Sequence, residues 1–107
     1  MMDKFTHMSL LLDIYGSLLS GKRKEVLTLT YNEDYSLTEI AELFGITRQG
    51  VRDFLVKGEK ELMDDEEKLG ILKEKFRQDE IIAALMEEKD PEALQEGLRQ
   101  LIYYEKE

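Results

Sequence analysis

No cysteine and no tryptophan occur among the 107 residues, and proline and histidine occur once each, as Pro91 and His7. Without cysteine there is no disulfide, no thiolate metal site and no cysteine nucleophile. A single histidine near the start of the chain also excludes most zinc chemistry and any Ser-His-Asp triad around a buried imidazole. No apolar run approaches the ~18 residues of a membrane span. Met1-Met2-Asp3-Lys4 begins neither the basic stretch nor the long apolar block of a signal peptide. These absences predict a soluble, cytoplasmic, non-enzymatic protein that holds no metal and no cofactor. What the chain does have is 42% hydrophobic and 36% charged residues. That is apolar enough to build a core and too apolar for a disordered acidic tail. The length sets one small domain with room for a helical extension.

Charge is strongly one-sided, with 15 basic against 24 acidic residues and a net of −9. That balance argues against a general nucleic-acid sponge. The excess is uneven. Residues 1–62 hold 8 basic and 10 acidic side chains, and residues 63–107 hold 7 and 14. The first part, at −2, can still present a local basic face, while the second, at −7, carries most of the acidity.

Apolar spacing gives the secondary structure. Phe5, Met8, Leu12, Tyr15 and Leu19 recur at steps of three and four, and Leu11, Ile14 and Leu18 widen the stripe into a well-buried helix face. Ser20-Gly21 ends that helix, and Ser20 caps a second one running to about Tyr31, with Val26, Leu27 and Thr30 inward. Asn32-Glu33-Asp34 is a turn cluster. Ser36-Leu37-Thr38-Glu39 is a capping box, in which hydroxyl and carboxylate reciprocally satisfy unpaired amides. It opens a third, short helix that Gly45 stops, and Thr47 caps a fourth helix starting at Arg48. Val51, Leu55, Leu62, Leu69, Leu72 and Phe76 then follow a seven-residue rhythm interrupted by Gly58 and Asp65. One long kinked helix and two helices joined near Gly70 both fit. Ile81, Ile82, Leu85 and Met86 form a further apolar patch. Asp90-Pro91 restarts the chain as N-cap and first helical residue of a last helix lined by Leu94, Leu98, Leu101 and Ile102. No useful strand alternation appears, so the expected fold is all-α. The expected domains are a helix-turn-helix domain over 1–69, with its unit at 37–56, and an acidic helical extension over 70–107. That extension packs on the same domain or serves a homodimer.

The stretch from Leu37 to Val56 carries the most information. Counting Leu37 as the first position, small Ala41 falls where two crossing helices touch, Gly45 in the turn, and Val51 where the second helix packs back. Ile40, Ile46 and Phe54 supply the other core contacts. The exposed face of the next two turns then holds Thr47, Arg48, Gln49, Arg52 and Asp53, the positions that reach base edges in a major groove. Arginine grips guanine and glutamine grips adenine, each with two hydrogen bonds. Lys22, Arg23, Lys24, Lys57 and Lys60 suit phosphates, although the same residues also read as ordinary solvated charges. Asp64-Asp65-Glu66-Glu67 reads as a solvated helix face, because no loop glycine organises it as in a calcium loop. The Tyr103-Tyr104 pair and the methionines read as packing, and His7 as a helix residue at the edge of the core.

Two resemblances follow from these residues. Leu18-Leu19-Ser20, Lys24-Glu25-Val26-Leu27, Ser36 to Ala41 and Gly45 to Val51 together resemble the DNA-binding fourth region of sigma factors. Leu12 to Leu19 before that unit, and Glu66 to Leu72 after it, are similar to the YlxM-type proteins. These are small bacterial helix-turn-helix proteins whose genes lie beside those of the signal recognition particle GTPases. The resemblance implies a regulator acting in that targeting pathway. Arg52 stands where that family often has an aromatic, Val56 where it often has a basic residue, and Gly50 where Ala is usual. Three functions remain in view. The chain is a non-enzymatic regulator that contacts DNA, or less readily RNA, or it is an interaction module for a targeting component without nucleic acid. An enzyme is disfavoured, because no nucleophile–base pair, metal cluster or phosphate loop can be assembled.

Overall fold

The computed structural model describes residues 2–102, so Tyr103 and Tyr104 lie outside the described residues. Its elements are α1 (Lys4–Tyr15), a 3-10 turn (Gly16–Leu18), α2 (Gly21–Tyr31), α3 (Leu37–Phe44), α4 (Arg48–Leu69), α5 (Ile71–Glu87) and α6 (Pro91–Ile102). No strand occurs among the described residues, and the protein is all-α. The chain divides into two compact units, Met1–Leu72 and Lys73–Glu107.

In the first unit α1, α2 and α3 all pack against α4. One apolar cluster joins Met8, Leu11, Leu12, Tyr15 and Leu19 to Leu27, Leu62 and Leu72. A second, formed by Val26, Ile40, Ala41 and Val51, is the core of the helix-turn-helix, with Phe44, Phe54 and Leu55 packed beside it. Adjacent residues of α2 therefore serve both clusters, Val26 one and Leu27 the other. This works because neighbouring side chains on a helix diverge by about 100°. Gly58 is buried against Leu27, and a Cβ placed on it would lie 2.6 Å from Leu27 Cδ1. What interrupts the apolar rhythm of α4 is thus a close approach to α2, with room for no side chain.

Local signals place the helix ends. Asp3 caps α1 by accepting the Thr6 N–H at 2.7 Å. The capping box before α3 is complete, with Glu39 N donating to Ser36 Oγ at 3.1 Å and Ser36 N to Glu39 Oε1 at 3.0 Å. The Ser36 N–H, and then the Ser36 hydroxyl, hold the Glu39 carboxyl below its ordinary value. Gly45 closes α3 at φ +65°, and Gly70 closes α4 at φ +63°, both in the left-handed region. Asp90 Oδ1 accepts the Glu92 N–H at 3.3 Å, and α6 starts at Pro91 as its sequence predicts.

Several expectations are corrected. The first helix ends at Tyr15 and passes into the 3-10 turn, short of Ser20-Gly21. The tighter turn rotates Leu18 off the buried stripe, leaving it 58% exposed while Leu19 is buried. Ser20 does occupy the N-cap position of α2, but its side chain makes no capping bond. Phe5 is half-exposed, its ring tilted on that of Tyr31 with centroids 5.3 Å apart. Ile46 lies outside the helix-turn-helix core. The Gly45 turn ties Ile46 N to Ala41 O at 3.1 Å, and its side chain covers Gly50 instead. Leu69 and Phe76, two beats of the heptad rhythm, are also exposed.

Near Gly70 there are two helices. The Tyr15 hydroxyl donates to Glu66 Oε1 at 2.6 Å and accepts the Ile71 N–H at 3.2 Å. Glu66 Oε1 also accepts the Leu72 N–H at 3.0 Å. A phenol from α1 and a carboxylate from the end of α4 thus satisfy amides in the first turn of α5, which a helix start leaves without an intrahelical partner. The acidic quartet accordingly divides around the helix. Asp64 pairs with Lys60, Glu66 turns to α5, and Asp65 is half-buried with one oxygen unpartnered.

The second unit is a helical hairpin of α5 and α6. An added Cβ on Gly97 would lie 2.4 Å from Leu85 Cδ2, and Arg77 donates to Gln100 O at 3.3 Å. No residue of α6 is fully buried.

Replacing Gly58 by alanine normally adds about 1 kcal/mol of helix propensity. Overpacking against a fully buried Leu27 costs ~1–3 kcal/mol. Gly58→Ala is therefore expected to lower stability in urea unfolding, the reverse of the exposed-helix result. Tyr15→Phe leaves the Ile71 amide unpaired and should cost about 1–3 kcal/mol. Burial, then the bond to Glu66, raises the Tyr15 phenol above its ordinary 10.0. Folding thus favours the protonated phenol. Its contribution is complete below pH 10 and falls away as pH rises through the higher folded value. Unfolding measured between pH 8 and 12 should show a smaller alkaline loss in Tyr15→Phe than in the unaltered chain.

Candidate nucleic-acid interface

The helix-turn-helix places the nominated side chains on the start of α4. Thr47 is its N-cap, with Oγ1 accepting the Gly50 N–H at 3.0 Å. Arg48 and Arg52 form one i, i+4 row on the exposed face, and Gln49 and Asp53 form the adjacent row. The rows are cross-linked. Gln49 Nε2 donates to Asp53 Oδ1 at 2.9 Å, and Arg52 lies 3.5 Å from Gln49 Oε1. The amide of Gln49 is thereby oriented, its nitrogen toward Asp53 and its oxygen toward Arg52. Behind this surface Ile40, Ala41 and Val51 are buried, and Gly45 makes the turn.

The nominated phosphate contacts divide into two kinds. Lys24 and Lys57 are exposed, and neither makes an ion pair among the described residues. Lys22 lies 4.4 Å above the Phe44 ring and 3.6 Å from Glu25. Arg23 reaches from α2 to α4 and donates to Glu61 Oε1 at 2.7 Å. Lys60 pairs with Asp64 at 2.8 Å, and that hydrogen bond raises its ammonium above the ordinary value. Arg23 and Lys60 thus already hold carboxylates, which offset part of their charge toward a phosphate.

Residues 2–102 match the family described as "Putative helix-turn-helix protein, YlxM / p13 like". The chain belongs to this family. Among its relatives, a UPF0122 protein of Thermoanaerobacter pseudethanolicus is 51% identical over 71 residues, which is 66% of this chain and 61% of that protein. One from Caldanaerobacter subterraneus is 49% identical over 73 residues, 68% of this chain and 62% of that protein. One from Halalkalibacterium halodurans is 40% identical over 102 residues, 95% of this chain and 94% of that protein. The chain thus spans less than two thirds of the first two relatives and nearly all of the third.

In this YlxM-type chain the carboxylates that brace α4 escaped the sequence reading. Glu59 accepts from the Tyr31 hydroxyl and pairs with Lys4 at 3.1 Å, and Glu61 holds Arg23. Burial and then the Glu59 hydrogen bond raise the Tyr31 phenol above its ordinary value. The available signal was position: 59 and 61 flank the buried 58 and 62 and so lie along the edges of the buried face.

Because Arg23 and Glu61 are each about one-third exposed, at 38% and 29%, solvent limits their pair to a coupling of ~0.2–1 kcal/mol. A double-mutant cycle of Arg23→Ala with Glu61→Ala should resolve that coupling. The same cycle with Lys24→Ala in place of Arg23→Ala should give none.

Proposed function

We propose that this protein is a non-enzymatic regulator that contacts nucleic acid with the first two turns of α4 and acts, in the cytoplasm, within the signal recognition particle pathway. The observation that carries the nucleic-acid reading is the pair of exposed rows Arg48/Arg52 and Gln49/Asp53 on a helix start braced by a buried core. Two guanidiniums and an oriented amide are the groups that make paired hydrogen bonds to guanine and adenine. DNA is favoured over RNA, because the B-form major groove admits a helix and the deep, narrow A-form groove does not. Lys24 and Lys57, with Lys22 at the start of α2, supply phosphate contact. The pathway assignment rests on the resemblance to the YlxM-type proteins. A second reading, a protein-interaction module without nucleic acid, is favoured by the engagement of Arg23 and Lys60 with carboxylates, which thins the phosphate-binding set.

Arg48→Ala and Lys24→Ala separate the two roles on DNA duplexes selected from random sequence and on unselected duplexes, each at two salt concentrations. Lys24→Ala should weaken all duplexes alike and lower the log–log salt slope by about one unit. Arg48→Ala should cost ~1–3 kcal/mol on the selected sequence only. If the unaltered chain binds no duplex at low salt, or neither substitution moves any curve, the interaction-module reading takes over.

A further inference from the structure

The outward face of α4 does not end with Asp53. Seven residues beyond Gln49, and again seven beyond that, the same face carries Val56 and Met63, which are 60% and 50% exposed. Between and beside them lies an open hollow of about 570 Å³, bounded also by Glu59, Lys60, Asp64 and Glu67. A second hollow of about 240 Å³ shares Val56 and Glu59 with the first and extends it over Leu55 and Leu37 toward Tyr35, with Lys4 and Arg52 also lining it. The result is one apolar floor along the later turns of a helix whose first turns are polar.

The rim of the larger hollow is acidic. Glu59, Asp64, Glu66 and Glu67 line it with Lys60 as the one cation among its lining residues, Glu59 being paired with Lys4 and Glu66 bonded to Tyr15 and the Leu72 amide. Lys60 is itself held by Asp64, and Glu67 makes no ion pair among the described residues. Carboxylates repel a phosphate backbone, and valine and methionine offer it no hydrogen bond, so this face of α4, unlike the neighbouring Lys57, is unsuited to nucleic acid. An apolar floor with an acidic rim is complementary to an apolar ridge flanked by cations. Val56 and Met63 are two helical turns apart, about 10.5 Å, which matches the i to i+7 spacing of apolar anchors on a partner helix. Unbranched, polarisable methionine adapts to such a ridge.

We infer that the face of α4 from Val56 to Glu67 is a docking site for a basic amphipathic helix of another protein. The inference is independent of the nucleic-acid reading and gives α4 two successive contact zones.

The test uses the full chain and a fluorescein-labelled, leucine- and lysine-based amphipathic 15-mer, with its leucine- and glutamate-based counterpart as control. The unaltered chain should bind the lysine peptide and not the glutamate peptide. Val56→Lys/Met63→Lys, changed only at exposed positions, should weaken binding at least tenfold with its circular dichroism intact, while Leu98→Lys in α6 should bind like the unaltered chain. Equal binding by the double variant, equal binding of both peptides, or loss of binding in Leu98→Lys would overturn the proposal. So would sedimentation showing a dimer that the double variant converts to monomer, since the face would then be occupied by a second copy. Duplex binding measured on the same double variant keeps the two readings apart, because failure of one leaves the other's readout unchanged.

Discussion

Leu27 fills the space that a side chain at position 58 would need, and most of the first unit depends on that contact. Because α2 and α4 meet there without an intervening Cβ, Leu27 and Leu62 can close one apolar cluster while Val26 and Val51 close another. Dispersion attraction falls off steeply with small gaps. Moving α4 outward by a methyl radius would loosen both clusters together. The polar braces lie along the same seam: Arg23 to Glu61, and Tyr31 and Lys4 to Glu59. Their joint effect is to fix how far the start of α4 projects and which face it turns outward.

What could be read from the sequence was local. The capping box, the left-handed glycine after Phe44 and the threonine cap at position 47 all involve groups within about four residues, so the residue types alone specify them. The all-α fold and the exposed face of Arg48, Gln49, Arg52 and Asp53 followed from periodicity. What could not be read depended on distant partners. Gly58 reads as a weak point in a helix until Leu27 is known to face it. Gly70 costs only about 1 kcal/mol inside a helix, so either one helix or two was acceptable. The break is accompanied by the Tyr15 hydroxyl, 56 residues from the amide it caps. Ile46 looked like core because it is apolar, yet the turn geometry directs it over Gly50.

The charge pattern takes on a different meaning in three dimensions. A net of −2 over residues 1–62 suggests a nearly neutral surface, but several cations are paired with carboxylates, Arg23 and Lys4 in bracing α4 and Lys60 with Asp64. The exposed cations of this part that make no ion pair among the described residues are Lys24 on α2 and Arg48, Arg52 and Lys57 on the first half of α4. α4 therefore grades along its length, from guanidiniums and an amide at the beginning to carboxylates and apolar side chains toward the end.

The Tyr15–Glu66 pair links three elements through one oxygen of each residue. The amides of Ile71 and Leu72 are held by side chains belonging to α1 and α4, so their exchange with solvent requires those two hydrogen bonds to open. Amide hydrogen exchange at the start of α5 therefore reports on the seam that Tyr15 of α1 makes there, although the two segments are far apart in sequence.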